Sequence, residues 1–112
     1  MIDHSGHIKL IDFGFAKQFK STKAEDQRTF TTCGTPDYTA PEVIKGIGAS
    51  FPADIWSLGV MIAEICTGTK PFSSGSPKDI YENIIYCRAE YGSGLKLQCR
   101  LLLERIFVVD PG

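Results

Sequence analysis

The sequence has little that would take it out of the ordinary globular class. It holds one tryptophan, two methionines, two histidines and no excess of either charge, with twelve Lys and Arg against thirteen Asp and Glu for a net charge of -1. Basic residues scattered in this way do not form the patch that follows a phosphate backbone or an anionic lipid surface, which argues against nucleic acid as a partner. The four cysteines, Cys33, Cys66, Cys87 and Cys99, include no Cys-x-x-Cys pair and no His at ligand spacing, which argues against zinc. Three of the four sit in helix-like or apolar surroundings and read as small buried hydrophobes of a reducing compartment rather than as a disulfide framework. Residues 1–10 carry Asp3, His4, His7 and Lys9 and lack the apolar core of a secretory signal. The longest apolar stretch, 55–66, is interrupted by Ser57, Gly59 and Glu64 and is too short to span a bilayer. A cytoplasmic protein with no membrane span is expected.

What is present fits a single domain. The chain has 112 residues, 43% of them apolar and 22% charged, enough to bury one core and too few for two. Residues 2–11 predict two short strands around the turn Asp3-His4-Ser5-Gly6, with His7-Ile8-Lys9-Leu10 alternating as a half-buried strand does. Residues 12–39 show no sustained period, and polar residues dominate 18–28, which predicts a long exposed loop. Pro41 and Glu42 open a short helix that Gly46 and Gly48 end. A second helix is predicted over 54–67, with Asp54 at its start and Gly68 after its end. Its apolar residues cover nearly every face, so it requires protein all round. Ser76-Pro77-Lys78-Asp79 predicts a capped helix start with Ile80, Tyr81, Ile84 and Ile85 as its stripe, and a last helix is expected over 95–107. The fold class is mainly α with a short N-terminal β-hairpin.

Three motifs carry chemistry together. Asp12-Phe13-Gly14 follows an apolar strand, a place where a carboxylate can be held against Mg²⁺ on nucleotide phosphates; alone, the tripeptide is an ordinary turn. Gly34-Thr35-Pro36-Asp37-Tyr38-Thr39-Ala40-Pro41-Glu42 and then Asp54-Ile55-Trp56-Ser57-Leu58-Gly59 follow it. In this order and at these distances they resemble the eukaryotic protein serine/threonine kinases, where Asp-Phe-Gly and Ala-Pro-Glu bracket the activation segment. The resemblance runs from Ile2 to about Ile85, and Val109-Asp110-Pro111 looks like the approach to the family's last helical motif. Asp12 to Lys17 (DFGFAK) and Thr32 to Tyr38 (TCGTPDY) resemble the cyclic-nucleotide-dependent group, and 53–59 with 67–72 look slightly closer to its cGMP-dependent branch. Residues 91–103 depart from the family pattern.

The resemblance implies a partial kinase C-terminal lobe over 1–112, divided into a hairpin (1–11), an activation segment (12–42) and helices (43–112). It implies ATP and Mg²⁺ as cofactors and a protein with a Ser or Thr acceptor as substrate. Asp12 matches the metal-binding aspartate, and Ile11 a residue touching the nucleotide. Thr35 matches the threonine that bonds the catalytic aspartate and lysine, and is counted with Asp12 as catalytic. Thr31 matches the site that an activating kinase phosphorylates; the roughly −1.5 to −2 charges of a phosphothreonine can order a loop against cations, and Lys17 stands where the family makes one such contact. Thr32 is its rival, and an unmodified hydroxyl in a solvated loop is the plain alternative. Structural roles fall on Gly14, on Glu42, whose family partner is a buried arginine beyond Gly112, and on Asp54, which holds the catalytic loop's backbone or simply faces the helix dipole.

The family's glycine-rich loop, its ATP-anchoring lysine with the paired glutamate, and its catalytic loop all precede Asp-Phe-Gly, so the chain by itself is expected to be inactive. Two readings follow: the central part of a larger kinase, or a truncated lobe that binds through Thr35 to Tyr38 and the helix from Lys78 to Tyr86 without catalysis.

Overall fold

The computed structural model describes residues 1–20, 27–30 and 36–109. Its helices are α1 (Pro41–Ile44), α2 (Phe51–Thr67), α3 (Pro77–Ile85) and α4 (Leu97–Ile106), with a 3₁₀ turn at Pro36–Tyr38 before them.

Each boundary has a local cause. Pro41 sits in the first turn of α1, where its missing N–H costs nothing, and Gly46 and Gly48 take φ of 71° and 100° beyond its end. The second helix starts at Phe51, earlier than the expected Asp54, because Pro52 is accepted in a first turn and Ser50 is extended. It stops at Gly68, which takes φ 76° and returns its N–H to the Glu64 carbonyl at 2.7 Å. The capping box expected for α3 is formed: Ser76 accepts from the Asp79 N–H, and Asp79 accepts from the Ser76 N–H at 2.7 Å. The last helix is shorter at both ends than the expected 95–107.

The core forms where α2, α3 and α4 meet. Trp56, Phe72 and Phe107 pack ring on ring, with centroids 4.9 to 5.3 Å apart, among Val60, Ala63, Ile84 and Leu103. Gly59 lets α4 approach: a methyl there would lie 2.7 Å from Ile106 Cγ2 and 3.0 Å from the Phe107 ring. Only one side of α2 is covered, however. Ile55, Leu58, Met61 and Ile65 stay between 42% and 73% exposed, so an all-round apolar helix has protein on half its surface.

The N-terminal hairpin is smaller than expected. A single antiparallel pair, Ile2 with Ile8, closes a turn in which the Asp3 carboxylate accepts the N–H groups of Ser5 and His7, each at 2.9 Å. Ile8 and Leu10 are exposed rather than half-buried, because no apolar layer among the described residues lies against them.

Candidate functional site

The chain after the hairpin turns sharply at Asp12. Its φ is 62°, a left-handed conformation that Asp tolerates when its side chain bonds nearby backbone, and its Oδ1 accepts the Gly14 N–H at 3.1 Å. The residue that needs the unusual backbone is therefore the aspartate, not the glycine. Gly14 serves another purpose, since a methyl on it would meet the same carboxylate oxygen at 3.1 Å. One oxygen of Asp12 is thus anchored while the side chain remains exposed.

Asp12 stands at the edge of an open cleft of about 450 Å³. Lys17, Tyr38, Asp54 and Ser57 line the same cleft, so the turn, the 3₁₀ segment and the start of α2 contribute to one site. Backbone pairing keeps the loop in place: Thr29 and Ala49 exchange hydrogen bonds of 2.9 and 2.7 Å, and Phe19 meets the Phe51 ring edge-on at 5.5 Å. Asp54 has an exposed carboxylate with no hydrogen-bond partner among the described residues. Ile11 is 56% exposed and lies outside the cleft lining. Thr31 and Thr35, the modification and catalytic expectations, lie outside the described residues, as do Thr32, Cys33 and Gly34.

Glu42 is half-buried and pairs with no arginine or lysine among the described residues. Arg100 is held within its own helix by Glu104 at 2.9 Å and offers Glu42 no counterion.

A second polar group fixes the floor of the cleft. Ser57 donates to the Tyr38 carbonyl at 2.8 Å, and Tyr38 donates its hydroxyl to the Glu64 carboxylate. That bond, with burial second, pushes the Tyr38 phenol up to about 12. Asp37 accepts from Ser73 and pairs with Lys70 Nζ at 3.2 Å; the Ser73 hydroxyl and then Lys70 outweigh partial burial and hold its carboxyl below the usual range. Lys70 also lies 5.4 Å from the Tyr38 ring centre. Sequence reasoning assigned no role to Glu64, Lys70 or Ser73. One signal was present, because Glu64 is the single charge inside the apolar stretch 55–66.

Comparison with known proteins gives the family. A model of the protein kinase domain matches residues 1–111. The chain is 41% identical over 110 residues to the cAMP-dependent protein kinase catalytic subunit PRKX of Mus musculus, covering 98% of this chain and 29% of that protein. It is 41% identical over 110 residues to the cAMP-dependent protein kinase catalytic subunit of Dictyostelium discoideum (98% and 16%), and 36% identical over 111 to the protein kinase C delta type of Rattus norvegicus (99% and 16%). The chain thus spans less than a third of the length of these relatives. With its Asp-Phe-Gly turn, its Ala-Pro-Glu helix and its long central helix in order along one matched length, the chain belongs to the protein kinase family.

Proposed function

We propose that this chain is the activation-segment and central helical portion of a serine/threonine kinase, in which it takes part in transferring the γ-phosphoryl group of ATP to Ser or Thr side chains of proteins. The observation that carries the proposal is the Asp12 turn, which anchors one carboxylate oxygen and leaves the group exposed at the edge of a cleft shared with Lys17 and Asp54. A hard divalent cation that keeps waters and phosphate oxygens takes only one or two carboxylates from protein, so Asp12 fits Mg²⁺ as one ligand of a shared site. No cluster of three or more ligating side chains exists among the described residues. When bound, the metal supplies charge neutralisation at the transferred phosphoryl group. The chain's own contribution is to anchor one Asp12 oxygen on the Gly14 N–H and to line the cleft with Asp54 and Ser57.

On this proposal the isolated chain has no activity, since positioning and charge stabilisation come from several parts acting together. Thr31 is the acceptor for an activating kinase, Thr35 bonds the catalytic groups, Ile11 borders the nucleotide, and the protein works in the cytoplasm. No helix among the described residues is long and apolar enough to cross a membrane.

The test is the mass of the native protein in its own cell extract, detected with an antibody against residues 31–38, followed by ATP-dependent labelling of a Ser/Thr peptide by the captured species. A captured protein several times larger than 12.3 kDa that labels the peptide supports the proposal. A native species of 12.3 kDa that binds peptide and transfers no phosphate replaces it with the binding-module reading.

A further inference from the structure

Two cysteines that are distant in sequence meet at the far end of the α2–α4 contact. Cys66, in the last turn of α2, and Cys99, in the first turn of α4, are 33 positions apart, and their sulfurs lie 3.7 Å from one another with the Cys99 thiol donating to Cys66. The two helices run antiparallel here. Gly59 faces Ile106, and about two turns further along α2 Cys66 faces Cys99, about two turns back along α4, so the sulfurs are matched by the same register that packs the core. Cys66 is exposed and Cys99 half-buried. Cys87, the other described cysteine, pairs with neither.

We propose that Cys66 and Cys99 form a site of reversible oxidation, closed to a disulfide by a small-molecule disulfide such as oxidised glutathione. A disulfide requires sulfurs at about 2.05 Å, so the pair needs an approach of roughly 1.7 Å, within the reach of side-chain rotation at two facing helix positions. The exposed Cys66 thiolate attacks one sulfur of the oxidant, forming a mixed disulfide and releasing one glutathione thiolate. The Cys99 thiolate then attacks the Cys66 sulfur and expels the second. Two protein thiols are oxidised, one glutathione disulfide is reduced to two glutathiones, and the two thiol protons pass through solvent to the leaving thiolates. Burial first, and the Cys66 sulfur second, raise the Cys99 thiol above its ordinary value, which makes its thiolate scarce and leaves the exposed Cys66 as the first nucleophile. The product ties the end of α2 to the start of α4, a link that neither helix makes through backbone hydrogen bonds. The inference rests on the helix register and is independent of the kinase reading.

The full-length protein is equilibrated in glutathione buffers of graded ratio, the remaining thiols are alkylated, and the peptides are mapped by mass spectrometry without reduction. The same series is run in concentrated urea. The expected result is a Cys66–Cys99 crosslinked peptide whose effective concentration exceeds that of any other cysteine pair by at least about tenfold, an advantage that urea removes. Cys66→Ser and Cys99→Ser each leave the other residue as a glutathione adduct and create no new crosslink. The proposal is overturned by a statistical mixture of pairings in the absence of urea, or by separate glutathione adducts persisting on both cysteines.

Discussion

At the scale of single residues, the site depends on where one carboxylate points. Asp12 occupies a left-handed backbone position that Asn also tolerates, so Asp12→Asn keeps the turn while removing the charge. In the full-length kinase this substitution is expected to lower the rate of phosphoryl transfer at least about 100-fold with little change in thermal midpoint. A loss of activity accompanied by unfolding would instead mark Asp12 as a turn residue. Asp37 offers a test of different sign. Its carboxyl is held below 3.8, so the ionised form is favoured on folding, and its contribution is present above the unfolded value and disappears as pH falls through the lower, folded one. Between pH 5 and 3 the thermal midpoint of the full-length protein should drop more than that of its Asp37→Asn variant. Equal slopes would mean that the contact with Ser73 and Lys70 carries no stability.

At the scale of elements, the contact between α2 and α4 is set by a missing side chain. Replacing Gly59 by Ala improves helix propensity by about 1 kcal/mol, but the new methyl would stand 2.7 Å from the branched Cγ2 of Ile106, which is pinned by the core. Overpacking of that kind typically costs about 1–3 kcal/mol, so the net effect of Gly59→Ala is expected to be destabilising. It should show as a lower urea midpoint at unchanged slope in the full-length protein. A higher midpoint would mean that propensity outweighs packing here. The caps of α3 and the glycine stop of α2 were legible in the sequence because they depend on neighbours within four positions. The start of α2 and the ends of α4 were less so, since packing chooses among residues that are all compatible with a helix.

At the scale of the whole molecule, the exposed face of α2 decides how the chain behaves alone. Ile55, Leu58, Met61 and Ile65 form an apolar strip that is uncovered in this length of chain, and Glu42 is half-buried without a cation beside it among the described residues. Burying a carboxylate without its partner removes a substantial part of a domain's small net stability. The chain by itself is therefore expected to unfold below about 45 °C, the lower edge of the ordinary mesophile range, and to self-associate at micromolar concentration. Cooperative unfolding above that temperature in differential scanning calorimetry, with a monomeric mass, would show that α2 needs no further cover.

The sequence by itself determined the family, the helical class and the position of Asp12, because motif order and local capping are written in residues close to one another. Tertiary structure decided what those residues meet. It brought Asp12 and Asp54 into the lining of one cleft, joined Tyr38 to Glu64 and Asp37 to Lys70, and set Cys66 against Cys99. None of these contacts has a local period or spacing, since each depends on how two distant elements are turned toward one another by the packing between them.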